Sequence, residues 1–252
     1  MASPPPTGVI VITGASSGLG AEMARQFAAL NYDLALCARR TDRLEALAGE
    51  IVSTTGRSVT TAALDVTDAA AVASTFSDFA ATYGAIDRVI VNAGVGSGAA
   101  LGTGRFDVNL ELVMTNFVGA LAQVEAAMEI FRRQGYGHLV LISSMAALRG
   151  MSRSMTTYSA SKAALATVAE GLRAENIKGL DVSVIHPGYI RTEMNAHVAD
   201  QIRFMVDTQT GVRAMVEAIE RRRAKAYVPT WPWLPLSVAM KVLPLQIARR
   251  LT

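Results

Sequence analysis

Cysteine is almost absent: Cys37 is the only one in 252 residues. One thiol cannot close an internal disulfide, which suits a reducing compartment. No base lies near it in sequence, so Cys37 reads as a small apolar strand residue and not as a reactive thiol. Histidine is also scarce. His138, His186 and His197 lack paired ligand spacing, so no metal site is expected, and His186 reads as a strand-end filler. Charged residues make up only 18% and the net charge is +3. No dense Lys/Arg stretch carries interleaved aromatics, so nucleic acid is not an expected partner. A modest basic excess suits an anionic cofactor or a membrane surface. No apolar run reaches the length of a membrane span. The opening Met1-Ala2-Ser3-Pro4-Pro5-Pro6 has three prolines and no basic-then-apolar pattern. It is not expected to be a secretory signal, and residues 1–7 read as a flexible arm.

What is abundant is apolar material, 51% of the chain, enough for a large core. Val9-Ile10-Val11-Ile12 is a continuous apolar run, as in a strand buried on both faces. Helical spacing follows over 20–30. The alternation then repeats. Strands are predicted at 33–38, 59–64, 89–91, 138–143, 182–185 and 226–228. Helices are predicted at 43–53, 69–83, 107–133 with a bend near its start, 157–176 and 208–223. Such alternation implies an α/β fold: a single Rossmann-like, doubly wound parallel sheet of about seven strands with helices on both faces. Ligands then bind beyond the carboxyl ends of the strands. Residues 8–229 read as one dinucleotide-binding and catalytic domain.

Strand one runs into Thr13-Gly14-Ala15-Ser16-Ser17-Gly18-Leu19-Gly20 and then a helix. Glycines let a diphosphate approach the backbone, and a helix N-terminus offers unpaired N–H groups. With Asn92-Ala93-Gly94, Asn116, Ser144, Tyr158-x-x-x-Lys162 and Pro187-Gly188, this segment resembles the ordered motif set of the short-chain dehydrogenase/reductase family. The motifs fall in family order across residues 8–192.

The end of the second strand reads Ala38-Arg39-Arg40, with no acid to select NAD. Arg39 or Arg40 suits the 2′-phosphate of NADP(H) through forked hydrogen bonds, and Ser16 suits an added hydroxyl contact. The resemblance points to Arg39 as the main contact. It also implies that Asp65 and Val66 meet the adenine, that Asn92, Ala93 and Gly94 let the cofactor lie close, and that Pro187, Gly188, Ile190 and Thr192 border the nicotinamide. With Gly14, Ser17, Gly18, Leu19 and Gly20 these complete the expected cofactor contacts.

Tyr158 and Lys162 lie one helical turn apart on one face. An ammonium nearby favours the phenolate, so Tyr158 is expected to serve as general acid or base. The resemblance implies that Lys162 also bonds the nicotinamide ribose, that Ser144 bonds the substrate oxygen, and that Asn116 helps hold a water linking the lysine to solvent. Ser144 stands 14 residues before Tyr158, one more than is usual in the family, and 151–156 reads as a loop absorbing the extra residue. Strand alternation turns the neighbouring Ser143 to the other face.

Met194, Phe204 and Met205 fall in a segment that reads either as an apolar lid or as core. Residues 95–106 are glycine-rich. The tail, 230–252, holds Trp231, Trp233 and an apolar, basic-edged stretch with Lys241, Arg249 and Arg250. It suits packing on the domain or a partner subunit, ahead of a peripheral membrane contact through 231–252. The expected protein is thus a cytoplasmic, homodimeric or homotetrameric NADP(H)-dependent oxidoreductase acting on a small-molecule carbonyl or alcohol. A position at the inner face of a membrane is the variant of that reading. A non-catalytic NADP(H)-binding regulator or scaffold of the same fold is the competing class, and an intact Asn116, Ser144, Tyr158 and Lys162 set argues against it. A sugar-nucleotide epimerase or dehydratase needs more chain for its substrate domain.

Overall fold

A computed structural model describes residues 7–196 and 204–248. Most of the arm, His197, Arg249 and Arg250 lie outside the described residues. Seven parallel strands form one sheet in the order β3-β2-β1-β4-β5-β6-β7. They are β1 (Val9–Thr13), β2 (Asp33–Ala38), β3 (Val59–Ala63), β4 (Arg88–Val91), β5 (Gly137–Ile142), β6 (Leu180–Pro187) and β7 (Lys225–Val228). The order reverses between β1 and β4, which leaves a crevice beyond their carboxyl ends.

Helices α1 (Gly18–Ala29), α2 (Thr41–Thr55) and α7 (Thr208–Glu220) cover one face. On the other lie α3 (Ala69–Tyr83), α4 (Phe106–Val113), α5 (Gly119–Gln134) and α6 (Met155–Ala174). The period-two alternation of β1 divides its side chains between the layers: Ile10 and Ile12 face α1 and α7, Val11 faces α3 and α5. Each fully buried Ile, Leu or Phe contributes about 1.5–3 kcal/mol relative to exposure. Cys37 is buried in β2, and burial pushes its thiol up to about 12, which keeps it protonated and inert.

The long helix expected over 107–133 is present, and its bend is a π-helical turn at Met114–Val118 between α4 and α5. Such turns interrupt the regular hydrogen-bond ladder and commonly mark functional sites. The tail forms two helices, α8 (Thr230–Val242) and α9 (Leu245–Ala248). Trp233 and Met240 of α8 pack with Met145, Leu148, Tyr189, Tyr227 and Leu236 as a small separate core. One face of the tail therefore packs on its own domain. Among the described residues no helix is long and apolar enough to cross a membrane.

A buried polar chain closes the opposite end of the sheet. Arg88 Nε donates to His138 Nδ1 at 3.0 Å, and Arg88 Nη1 pairs with Glu220 at 2.6 Å. Because Nδ1 accepts, neutral His138 carries its proton on Nε2 and donates to Ser183 Oγ at 2.8 Å. Burial and the Arg88 charge push His138 down to about 3.

Candidate active site

Between the start of α1 and the segment after β6 the chain opens a polar cleft of about 390 Å³ lined by Ser16, Ser17, Gly18, Glu22, Thr192 and Thr208, among others. Its floor is the turn from β1 to α1. Gly14 has φ +64°, and a Cβ there would stand 2.8 Å from Ala93 Cα. At Gly20 a Cβ would meet the Gly14 carbonyl at 2.5 Å. Neither position accepts a side chain, so the backbone and the first N–H groups of α1 remain open to an anionic ligand. Thr13 Oγ1 accepts from the N–H groups of Asn92 and Ala93 at 3.0 and 3.1 Å, and Asn92 Nδ2 donates to the Thr13 carbonyl at 2.8 Å. These bonds tie the end of β4 to the glycine turn. Gly18 faces Thr192, whose Cβ would lie 3.5 Å from an added methyl. This cradle, bare of side chains at Gly14 and Gly20 and opening α1, fits a dinucleotide diphosphate.

The two arginines after β2 part company. Arg39 extends toward Asp65, 4.0 Å away, while Asp65 accepts from Thr67 N and Oγ1 at 3.0 and 2.8 Å. Those two bonds and Arg39 hold the Asp65 carboxyl below its ordinary value. Arg40 reaches back over the glycine turn, with Nε donating to Ser16 Oγ at 3.2 Å and Nη2 to Ser17 Oγ at 2.5 Å. Two further residues, overlooked in the sequence, join it. Arg43 donates to both carboxylate oxygens of Glu193 at 2.9 Å, and Arg40 stands 3.5 Å from the same carboxylate. The sequence separates Arg43 from Glu193 by 150 positions, so only the fold brings them together. Val66 is buried, with its carbonyl against Gly119 at the start of α5.

Beside the end of β5, α6 presents Tyr158 and Lys162 one turn apart. Lys162 is buried, and its Nζ donates to the Ile142 carbonyl at 3.0 Å and sits 6.0 Å from the Tyr158 ring centre. Burial lowers the ammonium to about 8. Burial also raises the Tyr158 phenol above its ordinary value, and a Ser144 hydrogen bond works against that rise. The sequence argument has Lys162 lowering the phenol. Here the first bond of Lys162 goes to a main-chain carbonyl, and Ser144 is the group that favours the phenolate.

The two serines after β5 separate as strand alternation requires. Ser143 Oγ donates to the Lys162 carbonyl at 2.8 Å and faces away from the cleft. Ser144 caps a short helical turn, Met145–Leu148, with Oγ accepting from Ala146 N at 3.1 Å. His186 holds the Ser144 main chain from below, Nδ1 donating to its carbonyl at 2.9 Å, and burial lowers this imidazole to about 4. Asn116 sits in the π-turn. Its Oδ1 accepts from Val95 N at 2.7 Å and its Nδ2 donates to Val95 O at 2.9 Å. Both ends of the side chain therefore fix the loop after Gly94, where an added Cβ would lie 3.5 Å from Lys162 Nζ.

After Pro187, Gly188 leaves room for Trp233, whose ring would stand 2.0 Å from a Cβ. Ile190 is buried and pairs with Val206; Asn195 Nδ2 donates to its carbonyl. Trp233 stacks edge-on against Tyr189 at 5.6 Å, so Met145, Tyr189 and Trp233 form an apolar wall, of which Tyr189 is the member near Tyr158. Met194 and Phe204 are exposed and not core.

Comparison with known proteins places this arrangement. The family model described as short chain dehydrogenase matches residues 8–203. An uncharacterised oxidoreductase of Mycobacterium tuberculosis H37Rv is 49% identical over 243 residues, 96% of each chain. Dehydrogenase/reductase SDR family member 7B of Bos taurus is 35% identical over 210 residues, covering 80% of this chain and 64% of its own. Among solved structures, a short-chain dehydrogenase of Sphingobium yanoikuyae in complex with NADPH superposes with a TM-score of 0.81 at 26% identity, over 94% of this chain and 97% of that one. A Burkholderia phymatum short-chain dehydrogenase/reductase in complex with NAD shares the fold, TM-score 0.85 at 22% identity, over 99% and 97%. The chain belongs to the short-chain dehydrogenase/reductase family, oxidoreductases acting on CH–OH or C=O groups.

Proposed function

We propose that the protein is an NADP(H)-dependent oxidoreductase that interconverts a ketone or aldehyde and an alcohol, on an apolar or lipid-like substrate, with Tyr158 as general acid and base. The observation that carries this reading is a Tyr158 phenol bonded by Ser144 and set beside the buried Lys162 ammonium, which lies close to Gly94, next to the Asn92 and Ala93 that Thr13 ties to the glycine turn.

When bound, the nicotinamide supplies or accepts the hydride. The chain's own groups orient and move the proton. Ser144 binds the substrate oxygen. The buried phenol stays protonated near neutrality and so is a competent acid for carbonyl reduction. Lys162, held by Ile142, places a positive charge beside that phenol and close to Gly94. Asn116 keeps the Val95 loop in place under it. Gly14, Ser17, Gly18, Leu19 and Gly20 would hold the diphosphate, Asp65 and Val66 the adenine, and Asn92, Ala93, Gly94, Pro187, Gly188, Ile190 and Thr192 the nicotinamide half.

Solved relatives carry NADPH in one case and NAD in another, so support for NADP(H) comes from this chain's residues. No acid follows β2. Arg40 already bonds Ser16 and Ser17, and Arg40 with Arg43 gathers a carboxylate, which is the behaviour of an oxyanion site. Arg40 is therefore the favoured 2′-phosphate contact, ahead of Arg39, which leans toward Asp65. The wall of Met145, Tyr189 and Trp233 favours an apolar substrate.

Residues 8–229 act as the catalytic domain in this reading, with 230–252 as its tail. It also places the protein in the cytoplasm as a homodimer or homotetramer, with the inner face of a membrane as the variant. The exposed row Phe106, Leu110, Val118 and Leu121 along α4 and α5 offers a contact between subunits. A panel of apolar and soluble carbonyl compounds, followed by nicotinamide absorbance with NADPH and NADH, tests the proposal. The expected result is NADPH consumption with apolar ketones or aldehydes. Turnover of none of them with either cofactor would overturn it.

A further inference from the structure

The outward side of the tail carries a row of exposed apolar side chains. Trp231, Leu234, Val238, Val242, Leu245 and Ile247 are exposed, Trp231 to 78% and Val242 to 72%. Leu234, Val238 and Val242 are spaced by four residues, a stripe along α8, and Trp231 precedes it while Leu245 and Ile247 of α9 follow it. The opposite stripe, Trp233, Ser237 and Met240, is buried against the domain. The exposed row is thus not what holds the tail in place, and a contiguous apolar patch of this kind marks a contact.

Charge says what the contact is. Glu220 is the last acid of the chain. The tail that carries the row, 230–252, holds Lys241, Arg249 and Arg250 and no Asp or Glu, while Arg221, Arg222, Arg223 and Lys225 precede it at the amino end of β7. In a two-fold contact between copies, the tail would bring no acid to meet its partner's cations. The row on α4 and α5 offers copies a different face. An anionic lipid surface instead satisfies both features at once: the apolar stripe enters the acyl boundary, the cations meet headgroups, and tryptophan is at home at that depth.

We propose that α8 and α9 dock the protein on anionic lipid, stripe inward. Since the buried side of α8 is the Trp233 wall beside Tyr189, docking holds the apolar side of the site next to the bilayer. That consequence for substrate access rests on the oxidoreductase reading; the docking itself does not.

The test is flotation of the full chain with vesicles of phosphatidylcholine alone or containing phosphatidylglycerol, read together with tryptophan emission. Binding to the phosphatidylglycerol vesicles is expected, at least about tenfold above phosphatidylcholine and weakened by salt, with a blue shift of emission. In Val238→Ser/Val242→Ser binding falls by about tenfold or more, while turnover of a water-soluble carbonyl is unchanged. No partitioning into anionic vesicles would overturn the proposal, as would undiminished binding of the double variant. A dimer seen by sedimentation that the double variant dissociates, without vesicle binding, would assign the stripe to a second copy instead. A protein that binds vesicles yet turns over no carbonyl leaves the docking standing and removes only the proposed reaction.

Discussion

Burial moves Tyr158 and Lys162 in opposite directions: the phenol up, the ammonium down to about 8. Both shifts favour the uncharged form, and both matter for proton traffic. If the ammonium is the working form of Lys162, carbonyl reduction declines as pH rises through about 8, where that charge is lost. In Lys162→Arg, whatever rate remains should lack this decline, because a guanidinium stays charged. A pH profile of kcat for both proteins checks it. Arg40→Ala should weaken NADPH binding by about tenfold to a hundredfold and leave NADH binding unchanged, as measured by cofactor fluorescence. An equal loss for both would place the 2′-phosphate elsewhere. Single residues were legible where local geometry decides. The alternation of β5 separated Ser144 from Ser143, and helical spacing paired Tyr158 with Lys162. The choice between Arg39 and Arg40 was not legible, since it depends on Ser17 and Glu193, which only the fold brings near.

At the scale of elements, the π-turn and α8 carry the site's less regular features. The sequence shows a bend near the start of 107–133, but π-geometry leaves no local signature beyond it. Gly188 reads as a cofactor-loop glycine, yet its bare Cα is also what lets Trp233 of α8 close over the loop. Gly188→Ala should therefore displace α8 and cost about 1–3 kcal/mol of stability, visible as a lower midpoint in urea. The two buried histidines of β5 and β6 predict a pH dependence of their own. His138, at about 3, and His186, at about 4, both lie below the unfolded value of 6.5. The unfolded chain then binds more protons, so their contribution is full above 6.5 and is lost as pH falls toward 3. Thermal melting should show a falling midpoint between pH 6.5 and 5, above the range where most carboxylates titrate. His138→Asn should flatten part of that slope.

At the scale of the molecule, the doubly wound parallel sheet was the most legible feature. Apolar runs buried on both faces, spaced by helical segments, leave few arrangements besides a doubly wound sheet, and the sheet itself then brings the glycine turn and α6 to one crevice. The tail was less legible, because its prolines and its apolar content on two sides point in different directions until one side is seen to pack. The central claim is that the Tyr158 hydroxyl is the proton donor opposite a nicotinamide held in the glycine cradle. It is tested most directly by comparing the parent and Tyr158→Phe in NADPH binding and in single-turnover reduction of a carbonyl substrate. The account predicts unchanged NADPH affinity and a rate lower by about a hundredfold to ten-thousandfold. A Tyr158→Phe protein that reduces the carbonyl as fast as its parent would contradict it.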